Sequence, residues 1–266
     1  MIARHCLPDW PILMAANRDE MLDRPWQPPA RHWPDREEVV AGLDELAGGT
    51  WLGLNDYGVV ATILNRKHTL GPAAGKRSRG ELVLEALDHA DAAAAIDAML
   101  SLNADAYRPF NMVIADNQHA AVIIGRGEGA VIRQDIPDGV SMITHADLND
   151  TQSVRIGYHL TAFRKAALPD PSHDHWDEWI AALSARNAQN PVDGMTIAET
   201  NGFGTGSSAL LALPAIEQIG TPPIFKFALG APDQASFVSL PDLRDARSAA
   251  MQQVIVLNRM PCYRSD

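Results

Sequence analysis

The order of apolar runs along the chain predicts a layered α+β fold. Short apolar runs typical of strands occupy the first third, the middle and the end, and two pairs of segments with helical character separate them. Strands and helices that occur in separate runs, rather than in alternation, favour an α+β over a βαβ architecture. Two antiparallel sheets packed face to face, with a helix pair on each outer surface, would bury every apolar face. We therefore predict a four-layer αββα sandwich that forms a single domain over residues 1–266.

The first third of the chain is predicted to form strands. The apolar run at 11–16 has the length of a buried strand, and the polar residues that follow are expected to end it. The segment Asn55-Asp56-Tyr57-Gly58 is typical of a hairpin turn, because Asx side chains form hydrogen bonds with the nearby backbone and Gly accepts a positive φ. Residues 24–35 hold four prolines and two tryptophans, which predicts an ordered loop without regular structure. Strands are predicted at 12–16, 39–43, 50–54 and 59–64.

Two helix pairs and the remaining strands are predicted downstream. Ser78-Arg79-Gly80-Glu81 fits a capping box at the start of one helix, and Asp91 is a suitable cap for an alanine-rich second helix. The second pair is predicted at about 153–168 and 172–185, where Trp176, Trp179, Ile180 and Leu183 recur at helical spacing. Further strands are predicted at 110–115, 120–124, 140–144, 209–213, 224–228 and 237–240, with a helical tail from Asp242.

Composition excludes several function classes. The net charge of -11 argues against sequence-independent binding to nucleic acid or to an anionic membrane, because such binding relies on an excess of Lys and Arg. No apolar run reaches the 18 residues of a membrane span, and two cysteines are too few for a disulfide framework. We expect a soluble, cytoplasmic protein with a small-molecule ligand. One basic segment, Lys76-Arg77-Ser78-Arg79 after Arg66-Lys67, could meet an anionic ligand, although a solvated loop is the favoured interpretation.

The tetrapeptide Asn17-Arg18-Asp19-Glu20 is the most informative motif. Four polar residues at the end of an apolar run build either a site or an ion-paired corner. Arg24-Pro25, the segment Gly-Gly-Thr-Trp-Leu-Gly-Leu-Asn at 48–55 and the glycine-rich segment at 202–208 follow it in order. To about residue 213, this ordered set resembles the family named after the Asn-Arg-Asp-Glu motif, which includes the eukaryotic transport-and-Golgi-organisation protein.

The resemblance implies a fold and a set of catalytic positions. The family is thought to share the αββα sandwich of the N-terminal-nucleophile hydrolases, in agreement with the fold class above. In acylases of that superfamily, an Arg and an Asp flank the nucleophile and an Asn from a later strand helps to hold the oxyanion. Mapped by motif, these roles fall on Arg18, Asp19 and Asn65. An oxyanion donor of this kind lowers the activation barrier by about 3 kcal/mol.

The beginning of the chain departs from the family pattern. Relatives open Met-Cys, with the cysteine as nucleophile, whereas this chain opens Met1-Ile2-Ala3-Arg4-His5. Cys6 lies beyond the short opening strand and does not match the family cysteine. That strand has about three residues, where strands usually have about 5–6. We therefore hypothesise that the chain begins late and that the missing stretch contains Met-Cys.

The family's reported roles suggest ligands. Members are implicated in haem trafficking and, separately, in handling acyl-CoA and lipids. His145 follows a predicted strand where relatives more often carry Asn, and the pair His173 and His175 lacks a third metal ligand nearby. No Cys-x-x-Cys-His motif is present, which excludes covalently attached haem. We predict no metal site and no certain cofactor, with haem as a candidate transported ligand.

Two function classes remain open from the sequence. The favoured one is a carrier that binds haem or an acyl thioester, with ligand contacts from Asn17, Arg18, Asp19, Glu20, Arg79 and His145. The alternative is an amide or acyl hydrolase whose N-terminal cysteine is absent from this start. A scaffold without ligand is the weakest interpretation. The glycine-rich segment 202–208 is interpreted as a tight turn rather than an anion cradle, and relatives usually have Arg at the position of Gly206.

Overall fold

The computed structural model describes residues 1–241 and 243, and here two antiparallel sheets lie face to face between two helix pairs. The six strands of the first sheet are, in spatial order, β10 (Gly139–Ser141), β1 (Ile2–Arg4), β2 (Ile12–Met21), β11 (Phe203–Leu213), β12 (Ile224–Ala228) and β13 (Val238–Ser239). The seven strands of the second sheet are β3 (Trp26–Ala30), β4 (Val39–Asp44), β5 (Leu52–Asn55), β6 (Val60–Asn65), β7 (Phe110–Ala115), β8 (Ala120–Gly125) and β9 (Ile132–Asp135).

Two helix pairs cover the outer faces of the sheets. Helices α1 (Gly80–Leu87) and α2 (Ala92–Leu100) pack on the second sheet, and α3 (Val154–Lys165) and α4 (Asp177–Leu183) pack on the first. Short 3-10 helices occur at Ala104–Ala106, Pro171–His173 and Pro191–Asp193. The predicted α+β class and four-layer αββα sandwich are confirmed.

Side-chain alternation along the strands produces three hydrophobic layers. Along β2, Ile12 and Met14 face the layer between the two sheets, whereas Leu13 and Ala15 face α3 and α4. The remaining layer lies between the second sheet and the helices α1 and α2. Because the side-chain period of a strand is two, one register fixes which residues of β2 enter each layer. The same alternation extends into the polar tetrapeptide.

The polar tetrapeptide does not end its strand, contrary to the sequence prediction. Strand β2 continues to Met21 because β11 pairs with it along its whole length, from Leu213 opposite Ile12 to Phe203 opposite Met21. The glycine-rich segment 202–208 was predicted as a turn, but from Phe203 it belongs to β11. A polar residue continues a ladder when its backbone is paired and its side chain finds partners on one face.

Two other local predictions were wrong. Residues within the proline-rich segment 24–35 form β3, because it is the edge strand of its sheet, where proline's missing N–H is tolerated. The capping box at Ser78 is not formed: α1 has Arg79 at its N-cap without a side-chain cap bond. The carboxylate of Glu81 instead accepts a hydrogen bond from the Tyr107 hydroxyl at 2.7 Å and pairs with Arg77.

Several other elements agree with the sequence. The Asp91 carboxylate caps α2 by accepting from the N–H of Ala94 at 2.7 Å. The turn at 55–58 is formed as predicted, with the side-chain oxygen of Asn55 accepting from the N–H groups of Tyr57 and Val59. Helices α3 and α4 are shorter than predicted, and β9 was missed because all four of its residues are exposed and carry no apolar pattern. The predicted helical tail from Asp242 lies outside the described residues.

Candidate ligand-binding site

A cavity of about 810 Å³ opens where the polar halves of β2 and β11 face the second sheet. Strands β2 and β11 line one wall and β5 and β6 line another. Residues between 66 and 80, at 142–145 and at 192–197 are among those that line the rest. The structure brings together all the site residues predicted from the sequence. The cavity is lined by Asn17, Arg18, Asp19, Glu20, Asn65, Arg79 and His145, among others.

The strand period divides the tetrapeptide into two functional halves. Asn17 and Asp19 make their hydrogen bonds on the side of the first sheet covered by α3 and α4, to residues such as Leu183 and Arg155. Arg18 lies on the opposite side, against tryptophans of the second sheet. This division follows from alternation along an extended strand. Adjacent residues of one motif therefore face different environments.

Asn17 is held by hydrogen bonds to three segments. Its amide nitrogen donates to the carbonyl oxygens of Met195 at 2.8 Å and Leu183 at 3.3 Å, and to the hydroxyl of Thr196 at 3.3 Å. Its amide oxygen accepts from the hydroxyl of Ser208 at 2.7 Å. The side chain thus joins β2 to β11 and to the end of α4.

Asp19 forms an ion pair with the outer helix layer. One carboxylate oxygen accepts from Nη2 of Arg155 at 2.9 Å, and the other accepts from the hydroxyl of Thr205 at 2.6 Å. The side chains of Asp19 and Arg155 are 15% and 12% exposed. Arg155 also donates to the carbonyl oxygen of Met195 at 2.9 Å. This largely buried pair anchors α3 to the tetrapeptide.

Arg18 stacks on two indole rings and has no hydrogen-bond partner among the described residues. Its guanidinium carbon lies 4.5 Å from the ring centroid of Trp51 and 5.7 Å from that of Trp26. The two indoles meet edge to face at 5.6 Å. Burial lowers the pKa of Arg18, while the nearby carboxylate of Glu20 acts in the opposite direction. Cation–π contact holds the charge in place and leaves its N–H donors free.

Two further arginines, Arg24 and Arg79, and the carboxylate of Glu20 line the same cavity as Arg18. Arg24 is held by Asp44, with Nε to Oδ1 at 3.1 Å and Nη2 to Oδ2 at 2.5 Å. Arg79 donates to the hydroxyl of Thr69 and the carbonyl oxygen of Pro109, and burial lowers its pKa to about 10. Glu20 accepts only from the N–H of Met21 among the described residues. Arg24 and Arg79 therefore have hydrogen-bond partners, whereas Arg18 has none within residues 1–241 and 243.

Asn65 and His145 have side chains that are free to meet a ligand. Asn65 is the last residue of β6, and its amide makes no hydrogen bond within the described residues. His145 follows β10 and is solvent-exposed. Burial of part of its ring, and then the positive charge of Arg155, lower its pKa, so the imidazole is neutral at physiological pH.

The cavity lining is cationic although the protein is acidic. Nine Arg or Lys residues line it against four Asp or Glu residues, in a chain whose net charge is -11. The basic residues are Arg18, Arg24, Arg66, Lys67, Lys76, Arg77, Arg79, Arg108 and Arg155. Apolar residues such as Met14, Leu52 and Phe227 line the cavity between the sheets. This combination suits a ligand with an anionic group and an apolar body.

Comparison with known proteins agrees with the motif order. The family model described as Transport and Golgi organisation 2 matches residues 1–210. The chain belongs to this family. The bovine Transport and Golgi organization protein 2 homolog is 36% identical over 110 residues, and the human homolog is 34% identical over 110 residues. Each match covers 40% of this chain and 38% of the relative, so the chain spans about two fifths of the length of the curated relatives that it matches.

A solved structure shares the fold of this Transport and Golgi organisation 2 family member. The Caenorhabditis elegans ortholog of N-acylethanolamine-hydrolyzing acid amidase superposes with a TM-score of 0.54, covering 90% of this chain and 98% of that chain. The identity is 14%, so this likeness shows the fold alone. The shared fold agrees with the layered α+β architecture predicted from the sequence.

Sequence reasoning missed residues that complete the family member's site. Trp26 and Trp51, which stack on Arg18, were assigned only to a loop and a strand, and Arg155 and Ser207 were not assigned at all. A signal existed for Trp51 and Ser207, which lie within the quoted family motifs. No signal existed for Arg155, since only the tertiary fold brings α3 to β2.

The structure also describes the surroundings of possible metal ligands, the helices and Cys6. Within residues 1–241 and 243, no group of three or more His, Cys, Asp or Glu side chains is placed to hold a metal ion. None of the helices in the described part of the chain is long and apolar enough to cross a membrane. The Sγ of Cys6 lies 3.6 Å from the carbonyl oxygen of Arg4, and no described cysteine lines the cavity.

A buried histidine behind the site should make folding stability sensitive to acid. His159 on α3 is 3% exposed, with Nε2 2.8 Å from the carbonyl oxygen of Asp193. Burial lowers its pKa below 6.5, so the unfolded chain takes up this proton before the folded one does. The contribution of neutral His159 to the free energy of unfolding is fully present above pH 6.5. As the pH falls below that value, the free energy of unfolding decreases by at most about 1.4 kcal/mol per pH unit.

Urea unfolding between pH 7 and pH 5 measures this effect. We expect His159→Gln, which keeps an amide donor toward Asp193, to reduce the dependence of the unfolding free energy on pH. His175→Gln changes an exposed histidine and serves as the matched control. If both variants keep the slope of the unaltered protein, His159 is not the group responsible.

Proposed function

We propose that this protein binds a small amphipathic anion, haem or an acyl thioester, in the cavity between its sheets. The observation that carries the proposal is the guanidinium of Arg18, which is partly buried over two indoles and lacks a hydrogen-bond partner among the described residues. A desolvated charge without a partner is costly, so its retention at a cavity wall favours a role in binding an anion.

The cavity suits both ligand classes for physical reasons. Haem carries carboxylates on a large apolar ring, and an acyl thioester of coenzyme A carries phosphates at one end and an apolar chain at the other. Lys67, Lys76 and Arg77 are exposed at the cavity and can neutralise phosphates, which arginine and lysine bind well. The neutral imidazole of His145 is an available ligand for haem iron.

The predicted site residues divide into two proposed roles. Arg18, Asn65 and His145 have free donors or acceptors at the cavity and are assigned to ligand contact. Glu20 and Arg79 line the same cavity and are assigned to ligand contact as well. Asn17 and Asp19 also line the cavity, but their hydrogen bonds are committed to β11, α3 and the end of α4. These two residues are therefore assigned to holding the strand in place.

Direct titration tests the proposal. We expect saturable binding of haem or of dodecanoyl-CoA, with a Kd of about 10 µM or tighter. A shift of the Soret band measures haem binding, and calorimetry measures binding of dodecanoyl-CoA. Because charge attraction contributes, the affinity should fall as salt rises from 50 to 500 mM. Lys67→Gln should weaken binding, whereas Arg133→Gln, which removes an equal charge from the exposed strand β9, should not. The absence of binding by both ligands would refute the proposal.

A second candidate is an amide or acyl hydrolase with an N-terminal cysteine nucleophile. It is favoured by the start of β1, where the backbone nitrogen of Met1 donates to the carbonyl oxygen of Ala15 and Met1 itself lines the cavity. A residue preceding Met1 would continue β1 opposite Ala16, which directly precedes the tetrapeptide. A protein engineered to begin with cysteine directly before Met1 tests this candidate. Hydrolysis of acyl amides by that protein, and not by the same protein with alanine there, would support it.

A further inference from the structure

Two neighbouring serines on β11 have opposite environments. Ser207 and Ser208 are each 1% exposed. Ser208 lies opposite Asn17 and donates to its amide oxygen at 2.7 Å. Ser207 lies opposite Arg18, and its hydroxyl has no hydrogen-bond partner among the described residues. Buried hydroxyls are nearly always bonded, so the unpartnered oxygen of Ser207 requires an explanation.

The register places the side chain of Ser207 directly opposite that of Arg18. Residues directly opposite in an antiparallel pair project to the same face, with Cβ atoms about 5 Å apart. Ser207 also lines the cavity, as Arg18 does. Two side chains with unused hydrogen-bonding groups, a hydroxyl and a guanidinium, therefore meet at one wall of the cavity.

A bulge keeps the space next to this pair open. The β2–β11 register shifts between Thr205 and Ser207, so Gly206 has no partner across the ladder. A Cβ at Gly206 would have Leu22 at 3.4 Å and Nη1 of Arg18 at 3.9 Å as its nearest neighbours. No side chain from this position covers the guanidinium. The guanidinium of Arg18 is therefore uncovered on the side of Gly206.

We propose that Ser207 and Arg18 form a subsite for the carboxylate of an apolar ligand. The inference deepens the proposed function, since it names the group that the inner wall of the same cavity recognises. A carboxylate accepts two N–H bonds from the flat guanidinium and a third from a hydroxyl. Its single negative charge matches the single positive charge of the Arg18 guanidinium.

The local charge favours a carboxylate over a phosphate at this position. Burial lowers the pKa of Arg18, and the nearby carboxylate of Glu20 offsets part of that effect; the same carboxylate would repel a dianion. Phosphate groups can instead be met by the exposed bases Lys67 and Lys76. A haem propionate or a free fatty acid therefore satisfies the inner wall, with Trp26 and Trp51 beside it.

A matched pair of ligands tests the subsite. Decanoate and 1-decanol share an apolar chain and differ in the head group. We expect the unaltered protein to bind decanoate at least about tenfold more tightly, and Ser207→Ala to weaken decanoate binding by about tenfold. The affinity for 1-decanol should change less than about twofold in Ser207→Ala, because an alcohol gains little from the pair.

Ser208→Ala is the control variant in the same strand. Its melting temperature should fall, because the amide oxygen of Asn17 loses the hydroxyl that donates to it at 2.7 Å. Its preference for decanoate should remain. The melting temperature of Ser207→Ala should stay unchanged or rise, since the substitution removes a buried hydroxyl without a partner. This comparison separates loss of binding from loss of folding.

The outcomes distinguish this inference from the proposed function. If the unaltered protein shows no preference for decanoate, or Ser207→Ala keeps that preference, the carboxylate subsite is refuted, whatever haem and dodecanoyl-CoA do. If decanoate binding depends on Ser207 but neither haem nor dodecanoyl-CoA binds, the subsite stands and the proposed function fails.

Discussion

Replacing Arg18 with Met should weaken binding of haem or dodecanoyl-CoA by about 30- to 100-fold, which corresponds to about 2–3 kcal/mol. Met keeps an unbranched apolar side chain against Trp26 and Trp51 while removing the charge. The physical reason is that Arg18 has no hydrogen bonds within the described residues, so its donors are available to a ligand. Parallel titrations of the variant and the unaltered protein measure the effect.

The stability of the same variant tells a binding role from a structural one. Burial disfavours the charged form of Arg18, so its removal should leave the unfolding free energy within about 1 kcal/mol or raise it. Arg24→Met is the matched control, because Arg24 lines the same cavity but is bonded through two nitrogens to Asp44. That variant should lose about 1–2 kcal/mol of stability, since Asp44 is left without its partner. An Arg18→Met protein that is destabilised and still binds normally would make Arg18 a structural residue.

Much of the fold could be predicted because its signals are local. The apolar runs that became β6, β7 and β8, the Asx turn at 55–58 and the cap at Asp91 depend on residues close together in the sequence. The wrong predictions concern segments whose secondary structure depends on the strand that pairs with them or on their position in the sheet. A strand through Asn17–Glu20 requires β11, which is almost two hundred residues away, and a strand through Pro28 and Pro29 requires an edge position.

The candidate site shows the same limit more clearly. Motif order identified the tetrapeptide, Asn65, Arg79 and His145, and all of them line one cavity. The sequence could not tell on which side of the first sheet each residue of the tetrapeptide makes its contacts, because the answer depends on the strand continuing through the motif. Nor could it find that Asp19 pairs with Arg155 of α3 rather than with Arg18. Charge partners across the fold are properties of the tertiary structure.

Replacing Asp19 with Ala should destabilise the protein by about 3 kcal/mol or more. The change leaves Arg155, whose side chain is 12% exposed, with the carbonyl oxygen of Met195 as its remaining partner among the described residues. Removing one member of a buried ion pair costs about 3–5 kcal/mol because it leaves a charge uncompensated. Urea unfolding monitored by fluorescence measures the loss.

Glu20→Ala is the natural comparison, since it removes a carboxylate one residue away. Glu20 accepts only from the N–H of Met21 within the described residues, so this variant should lose less than about 1 kcal/mol. The double variant Asp19→Ala/Arg155→Met should recover part of the stability lost in Asp19→Ala, because no unpaired charge remains. Equal losses in Asp19→Ala and Glu20→Ala would show that the ion pair contributes little to stability. A large loss confined to Asp19→Ala, with ligand affinity preserved after refolding, would mean that the family motif combines a structural anchor on one face of β2 with a binding group on the other.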